Sequence, residues 1–175
     1  RDREEMMKKF TSGLLIVVVA IFVLTLQYVN GQGPFKTTEG STKGDSYIVT
    51  RVIDGDTIIV NKDGKEERVR MIGVDTPETV KPNTPVQPYG KEASDFTKKH
   101  LTGKRVTLEY DRAPKDRYGR TLAYVWVGDK MFNVRLAKEG LARAKFYSPN
   151  YKYRPQIEQA QKEAQKKKLN IWSEA

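Results

Sequence analysis

Apolar positions alternate with polar ones over much of the chain between residues 47 and 74, and the interruptions are as informative as the runs. Tyr47-Ile48-Val49-Thr50-Arg51-Val52-Ile53 is rich in β-branched residues and reads as a first strand. Asp54-Gly55-Asp56-Thr57 breaks it, and Ile58-Ile59-Val60 resumes as a second strand. Asp63-Gly64 is a two-residue hairpin signal, suited to a turn that needs positive φ. The third strand runs from Val69 to Val74 and stops before Pro77, which cannot extend a ladder. These three strands predict a meander whose Asp56 turn and Asp75 turn lie at the same end. Helical spacing begins at Tyr89 and runs to Leu101, with Ala93, Phe96, His100 and Leu101 on one face and Gly103 as the stop. A fourth strand follows over 105–110 and a fifth over 122–127, the latter closed by a tight Gly128-Asp129 hairpin. Short helices are predicted over 133–140 and 156–168, and Leu169, Ile171 and Trp172 are expected to pin the chain end to the core. The pattern implies an α+β, mainly β fold: a five-stranded Greek-key barrel of the OB type with three helices.

Ahead of this body the pattern changes. Residues 1–9 are charged, and position 1 is not a methionine, so this start reads as an artificial extension or an over-extended reading frame. Leu14 to Leu26 is an apolar block preceded by Lys8 and Lys9, the layout of a secretory signal. With its flanks it covers residues 10–29, near the ~20 residues that span a bilayer. Residues 10–31 are therefore expected to be either a cleaved signal or a retained membrane anchor, and the protein to be secreted or held on the outer face of the cell membrane. Residues 32–45, rich in Gly, Thr, Ser and Lys, read as a flexible linker, and residues 46–175 as the folded domain.

Composition narrows the chemistry. There is no cysteine, which excludes disulfides and thiolate metal sites, and His100 is the single histidine, which excludes a multi-histidine zinc centre. Any metal must bind through oxygen, which points to calcium or magnesium. A formal net charge of +10 suits a polyanionic partner such as nucleic acid, or an anionic membrane or wall polymer.

Two stretches carry candidate chemistry. The first is Arg70-Met71-Ile72-Gly73-Val74-Asp75-Thr76-Pro77-Glu78. Two carboxylates spaced like Asp75 and Glu78 can divide labour, one holding a hard cation and one acting as a base, while an arginine on the same strand can neutralise a phosphate. The plain alternative is a strand ending in a polar turn. The second is Asp116-Arg117-Tyr118-Gly119-Arg120, where a tyrosine between two arginines can stack on a base while the guanidiniums grip phosphates. Its plain alternative is an ordinary charged turn. Asp54 reads as a turn former, and His100 as a packed or surface helix residue.

Together these segments resemble the staphylococcal nuclease family. The resemblance rests on Ile53-Asp54-Gly55-Asp56-Thr57, Val69-Arg70, Val74-Asp75-Thr76-Pro77-Glu78-Thr79, Asp116-Arg117-Tyr118-Gly119-Arg120, Leu122-Ala123-Tyr124 and Lys168-Leu169-Asn170-Ile171-Trp172-Ser173, and covers about Tyr47 to Glu174. It implies a Ca²⁺-dependent phosphodiesterase acting on DNA and RNA and leaving 3′-phosphate ends. By position, Asp56, Asp75 and the Thr76 carbonyl would bind Ca²⁺, Glu78 would be the general base, and Arg70 and Arg120 would clamp the phosphate. Tyr118, with Arg117 beside it, would contact the nucleotide. The family's two pocket aromatics fall where this chain has Ala144-Lys145-Phe146-Tyr147-Ser148-Pro149, one residue shorter. Tyr147 stands for the second; the first is Phe146 or is missing. The loop before Tyr89 is also less basic, with Val80, Asn83 and Thr84 beside Lys81.

Three readings follow: an exported nuclease, a non-catalytic nucleic-acid-binding OB module, and a basic wall- or membrane-associated protein. The intact set Asp56, Arg70, Asp75, Glu78 and Arg120 favours the first over the second, and the third leaves the motifs unexplained. A monomer is expected, with no protein partner.

Overall fold

The fold was taken from a computed structural model, which describes residues 44–79, 83 and 85–173. The charged start at 1–9, the apolar segment at 10–31, all of the linker before residue 44, and Val80, Lys81 and Thr84 of the following loop lie outside the described residues. Among the described residues no helix is long and apolar enough to cross a membrane.

Strand β1 (Asp45–Asp54) starts at the residue where the linker was expected to end, and pairs antiparallel with β2 (Thr57–Lys62). Asp63 and Gly64, at φ 51° and 81°, both take the positive values that a tight hairpin demands, and lead into β3 (Lys65–Met71). Strands β5 (Arg105–Glu109) and β6 (Thr121–Val127) form a second antiparallel pair, with β5 also paired to β1. Closure comes from β3 and β6, which run parallel with Val69, Arg70 and Met71 opposite Thr121, Leu122 and Ala123. The five strands thus form a ring, β3-β2-β1-β5-β6 and back to β3, which leaves none of them a free edge along the seam. Hairpin strand β7 (Lys130–Met131) pairs with β6 beyond the ring.

The third strand departs from its expected length. β3 ends at Met71, and Val74 begins a separate strand, β4 (Val74–Asp75), paired with β8 (Arg143–Ala144). Apolar character continues through Ile72, but Gly73 adopts φ 77°, which turns the chain out of the ladder. Ile72 remains satisfied because its N–H donates to the Ala123 carbonyl at 3.0 Å and its carbonyl accepts from Asn133 Nδ2 at 2.8 Å. Asn133 is fully buried and also accepts from the Val125 N–H at 2.9 Å, so one amide ties this turn to β6.

Helix α1 (Gly90–Leu101) buries Gly90, Ala93, Ser94, Thr97 and Leu101, which places Phe96 and His100 at the margin of its inner face. His100 is a packed helix residue as expected: Nδ1 bonds to the Phe96 carbonyl, Nε2 to Arg135, and its ring lies 4.3 Å from Phe96. Helices α2 (Phe132–Lys138) and α3 (Arg154–Lys166) pack on each other, with Leu136, Ala137, Ile157 and Ala160 buried, and α2 also meets α1 where Phe132 stacks on Phe96. Leu169, Ile171 and Trp172 are half-buried, and Ile171 N–H donates to the Gly140 carbonyl, which docks the chain end on the close of α2. The barrel interior is filled by fully buried Val49, Ile58, Val60, Val69, Leu108 and Val125, with Met71 almost as deep, while buried Tyr124 faces outward against Tyr153. One rim of this ring carries the loops described next.

Candidate active site

The turn between β1 and β2 and the segment after β3 meet at one end of the barrel, as the meander predicted. Asp56 accepts the Thr76 N–H at 2.9 Å through Oδ2 and the Thr57 hydroxyl at 3.0 Å through Oδ1. Arg70 binds the same region from within. Its Nη1 donates to the carbonyls of Met71 and Val74 at 2.8 and 2.7 Å, so the guanidinium spans the Gly73 turn. Its Nη2 lies 3.1 Å from Asp56 Oδ2 and 3.0 Å from Asp75 Oδ1. Two carboxylates nineteen positions apart in sequence therefore converge on one nitrogen, with Asp56 and Arg70 largely buried. Asp75 Oδ2 accepts from Lys145 Nζ at 3.1 Å, and this contact, with the Tyr147 hydroxyl next in size, holds the lysine pKa above its ordinary value.

Glu78 follows on the same rim, half-buried. Gln87 fixes its backbone at both groups, the side-chain oxygen accepting the Glu78 N–H and the Gln87 N–H donating to the Glu78 carbonyl, each at 3.0 Å. Gly90 lets α1 approach: a Cβ there would stand 2.9 Å from the Glu78 carbonyl oxygen. Asp54 turns the chain as expected, accepting the Gly55 N–H and the Thr79 hydroxyl, both at 2.8 Å. It also lines the cavity. Burial pushes its pKa up, and the charges of Asp56 and Glu78 add to that against the opposing hydrogen bonds.

Across the opening stands the loop before β6. Asp116 organises it, accepting the Tyr118 and Arg120 N–H groups through Oδ1 at 2.9 and 3.0 Å and the Arg120 Nε–H through Oδ2 at 2.7 Å. Burial opposes ionisation of Asp116, but those bonds outweigh it and hold its pKa below the usual value. Both guanidiniums approach the Tyr118 ring, Arg117 at 4.9 Å and Arg120 at 5.6 Å, and the ring is 69% exposed. The loop thus brings both guanidiniums of the motif beside its exposed tyrosine.

All nine residues singled out from the sequence (Asp56, Arg70, Asp75, Thr76, Glu78, Arg117, Tyr118, Arg120 and Tyr147) line a single cavity of about 920 Å³. Tyr147 is 66% exposed at its mouth. Phe146 is not part of the lining. Its ring packs inward over Gly73, where a Cβ would meet it at 2.5 Å, so the first pocket aromatic has no counterpart at this position. Asp54, read from the sequence only as a turn former, also lines the cavity, as do Lys145 and Asp116, to which the sequence reading gave no role. For Asp116 a signal existed, since an aspartate preceding a Gly-containing turn commonly caps nearby N–H groups; Lys145 gave none.

The donor set suits a hard divalent cation. It offers carboxylate and carbonyl oxygen with neither sulfur nor imidazole, and the buried Thr76 hydroxyl lacks a hydrogen-bond partner. Among the described residues no three acidic, cysteine or histidine side chains meet at metal-ligand spacing.

Comparison with known proteins identifies the family. Residues 68–174 match the family model described as staphylococcal nuclease homologue. The chain is 75% identical over 166 residues to the thermonuclease of Staphylococcus intermedius, covering 95% of this chain and 99% of that protein. It is 71% identical over 168 residues to the thermonuclease of Staphylococcus hyicus, with the same coverage. Against the endonuclease YncB of Bacillus subtilis it is 49% identical over 127 residues, 71% of this chain and 60% of the relative. The chain belongs to the staphylococcal nuclease family.

Proposed function

We propose that this nuclease hydrolyses the phosphodiester bonds of DNA and RNA with one Ca²⁺ bound at Asp56, Asp75 and the Thr76 carbonyl, releases 3′-phosphate ends, and works outside the cytoplasm. The observation that carries the reading is the convergence of Asp56 and Asp75 on Arg70 beside Glu78, facing Arg120 and Tyr118 across one cavity.

When bound, the ion supplies positive charge to the phosphate. The remaining work falls to the chain. Glu78 takes a proton from water as its oxygen attacks phosphorus, and the bond to the 5′ oxygen breaks, that oxygen taking up a proton from solvent to leave as a hydroxyl and the phosphate staying on the 3′ side. Arg120, aligned by Asp116, offers its guanidinium to the negative charge that grows on the phosphate oxygens. Arg70 adds a second positive charge, and its two bonds across the Gly73 turn fix where that charge sits. Tyr118 and Tyr147 give exposed faces on which unpaired bases stack, which suits single strands and frayed duplex. The apolar segment at 10–31 supports the placing outside the cytoplasm, through export or anchoring.

The test is digestion of single- and double-stranded DNA and of RNA with Ca²⁺, with Mg²⁺, and with a calcium chelator. Cleavage is expected in Ca²⁺, weakly in Mg²⁺, and not in chelator. Full activity in chelator removes the metal pair from the mechanism. Tight binding of nucleic acid with no cleavage in saturating Ca²⁺ hands the site to a binding module. Fractionation of expressing cells, with the protein recovered outside or on the outer face of the membrane, tests the location.

A further inference from the structure

Asp75 is held by two cations, and they differ in how firmly they are tethered. Arg70 takes Oδ1 at 3.0 Å, its side chain is 14% exposed, and its Nη1 is spent on two carbonyls of the turn. Lys145 takes Oδ2 at 3.1 Å, but its side chain is 49% exposed and ends a flexible four-carbon stem. The base of that stem is fixed, because the Lys145 N–H donates to the Gly73 carbonyl at 3.0 Å next to the β4–β8 pair. In the same position the ammonium also faces the Tyr147 ring, 5.8 Å from its centroid.

We propose that Lys145 is a tethered cation that competes with the metal ion for Asp75 and so sets the Ca²⁺ concentration at which the enzyme loads. The proposal rests on reading Asp56 and Asp75 as the metal pair. An ammonium on that oxygen occupies one of its lone pairs and offsets its negative charge, so the oxygen coordinates a cation less strongly, and the ammonium stays near a divalent ion of the same sign. Both costs fall on metal binding. For a half-exposed pair they add up to a loss of roughly three- to tenfold in affinity. Lys145 in this role positions charge at the site and takes no part in bond making.

The experiment is a calorimetric Ca²⁺ titration of nucleotide-free protein, comparing wild type, Lys145→Met and Lys145→Arg. Methionine keeps much of the stem and removes the charge; arginine keeps the charge. Lys145→Met is expected to bind Ca²⁺ about three- to tenfold tighter than wild type at low salt, with the gain shrinking near ~1 M salt, where charges are screened within ~3 Å. Lys145→Arg is expected to stay near wild type. Unchanged or weaker binding by Lys145→Met overturns the proposal, and so does equal tightening in both variants, which would make packing the cause. A wild type that binds no Ca²⁺ removes the metal pair itself, a failure distinct from the first two.

Discussion

Gly73→Ala probes the corner on which the site is hung. Gly73 sits at φ 77°, where a side chain costs about 1–2 kcal/mol. A Cβ there would lie 2.5 Å from Cε1 and 2.8 Å from Cζ of Phe146, and 2.9 Å from Cδ1 of Ile157. Neither neighbour yields easily. Ile157 is fully buried in α3, and Phe146 is packed against the core with Tyr151 6.4 Å away and the Arg154 guanidinium 5.9 Å away. Forcing the ring aside adds about 1–3 kcal/mol of overpacking. Gly64→Ala is the control: φ is 81°, but nothing lies within 4 Å of its Cβ, so it bears the backbone cost alone. Both variants share any gain from a stiffer unfolded chain, and the difference between them isolates the packing. In urea denaturation the Gly73 variant should therefore lose about 1–3 kcal/mol more than the Gly64 variant, with equal slopes. Because Phe146 stands between Lys145 and Tyr147 in the chain, KM for nucleic acid should also rise in Gly73→Ala and stay unchanged in Gly64→Ala. Equal losses of stability in the two variants would refute the seating of Phe146 over this turn.

Other outcomes follow from the same geometry. Glu78→Gln should lower kcat by about 10²–10⁴-fold while nucleotide binding in Ca²⁺ survives, measured by steady-state kinetics beside a ligand titration. Arg120→Ala should weaken both, because a guanidinium grips phosphate in ground and transition states alike. A Glu78→Gln protein cleaving at the wild-type rate would take Glu78 out of the mechanism. For pH, burial alone would raise the Asp111 pKa, but bonds from the Lys152 and Arg112 N–H groups and the Tyr124 hydroxyl outweigh it and leave the value depressed. Its folded pKa lies below its unfolded one, so the stabilisation is present above the unfolded value of about 3.9 and fades as pH falls through the folded one. Asp111→Asn should then be less stable than wild type at pH 7, with the gap closing in acid; a gap that widens in acid would contradict the assignment.

Local signals told most about local features. Asp63-Gly64, Gly103 and Gly128 end their elements where turn chemistry says they must, and the motif residues could be placed because each sits on or beside a strand end. Phe146 was undecided for a physical reason: in a loop without period, sequence does not say which way an aromatic faces, and here only the bare Cα of Gly73, far off in the chain, makes room for it. β3 reads too long because the apolar run Met71-Ile72 carries on toward Val74, and what stops the strand is the conformation of Gly73, with Asn133 satisfying Ile72 across 61 positions. Lys145 meets Asp75 across 70 positions. Partnerships at that distance belong to the closed barrel, not to any window of sequence.

The parallel seam between β3 and β6 has a consequence for when this protein becomes dangerous to the cell that makes it. Arg70 lies on one lip of the seam, opposite Leu122, and Arg120 stands just before the other lip. A growing chain that has not yet delivered residues 121–123 cannot close the ring, and these two arginines remain on separate, unpaired edges. Nascent chains and truncation products that stop short of residue 121 are therefore expected to be silent, even though most of the acidic residues have already been made. Activity then arrives with the docking of the last strand of the ring, and not gradually as the chain lengthens.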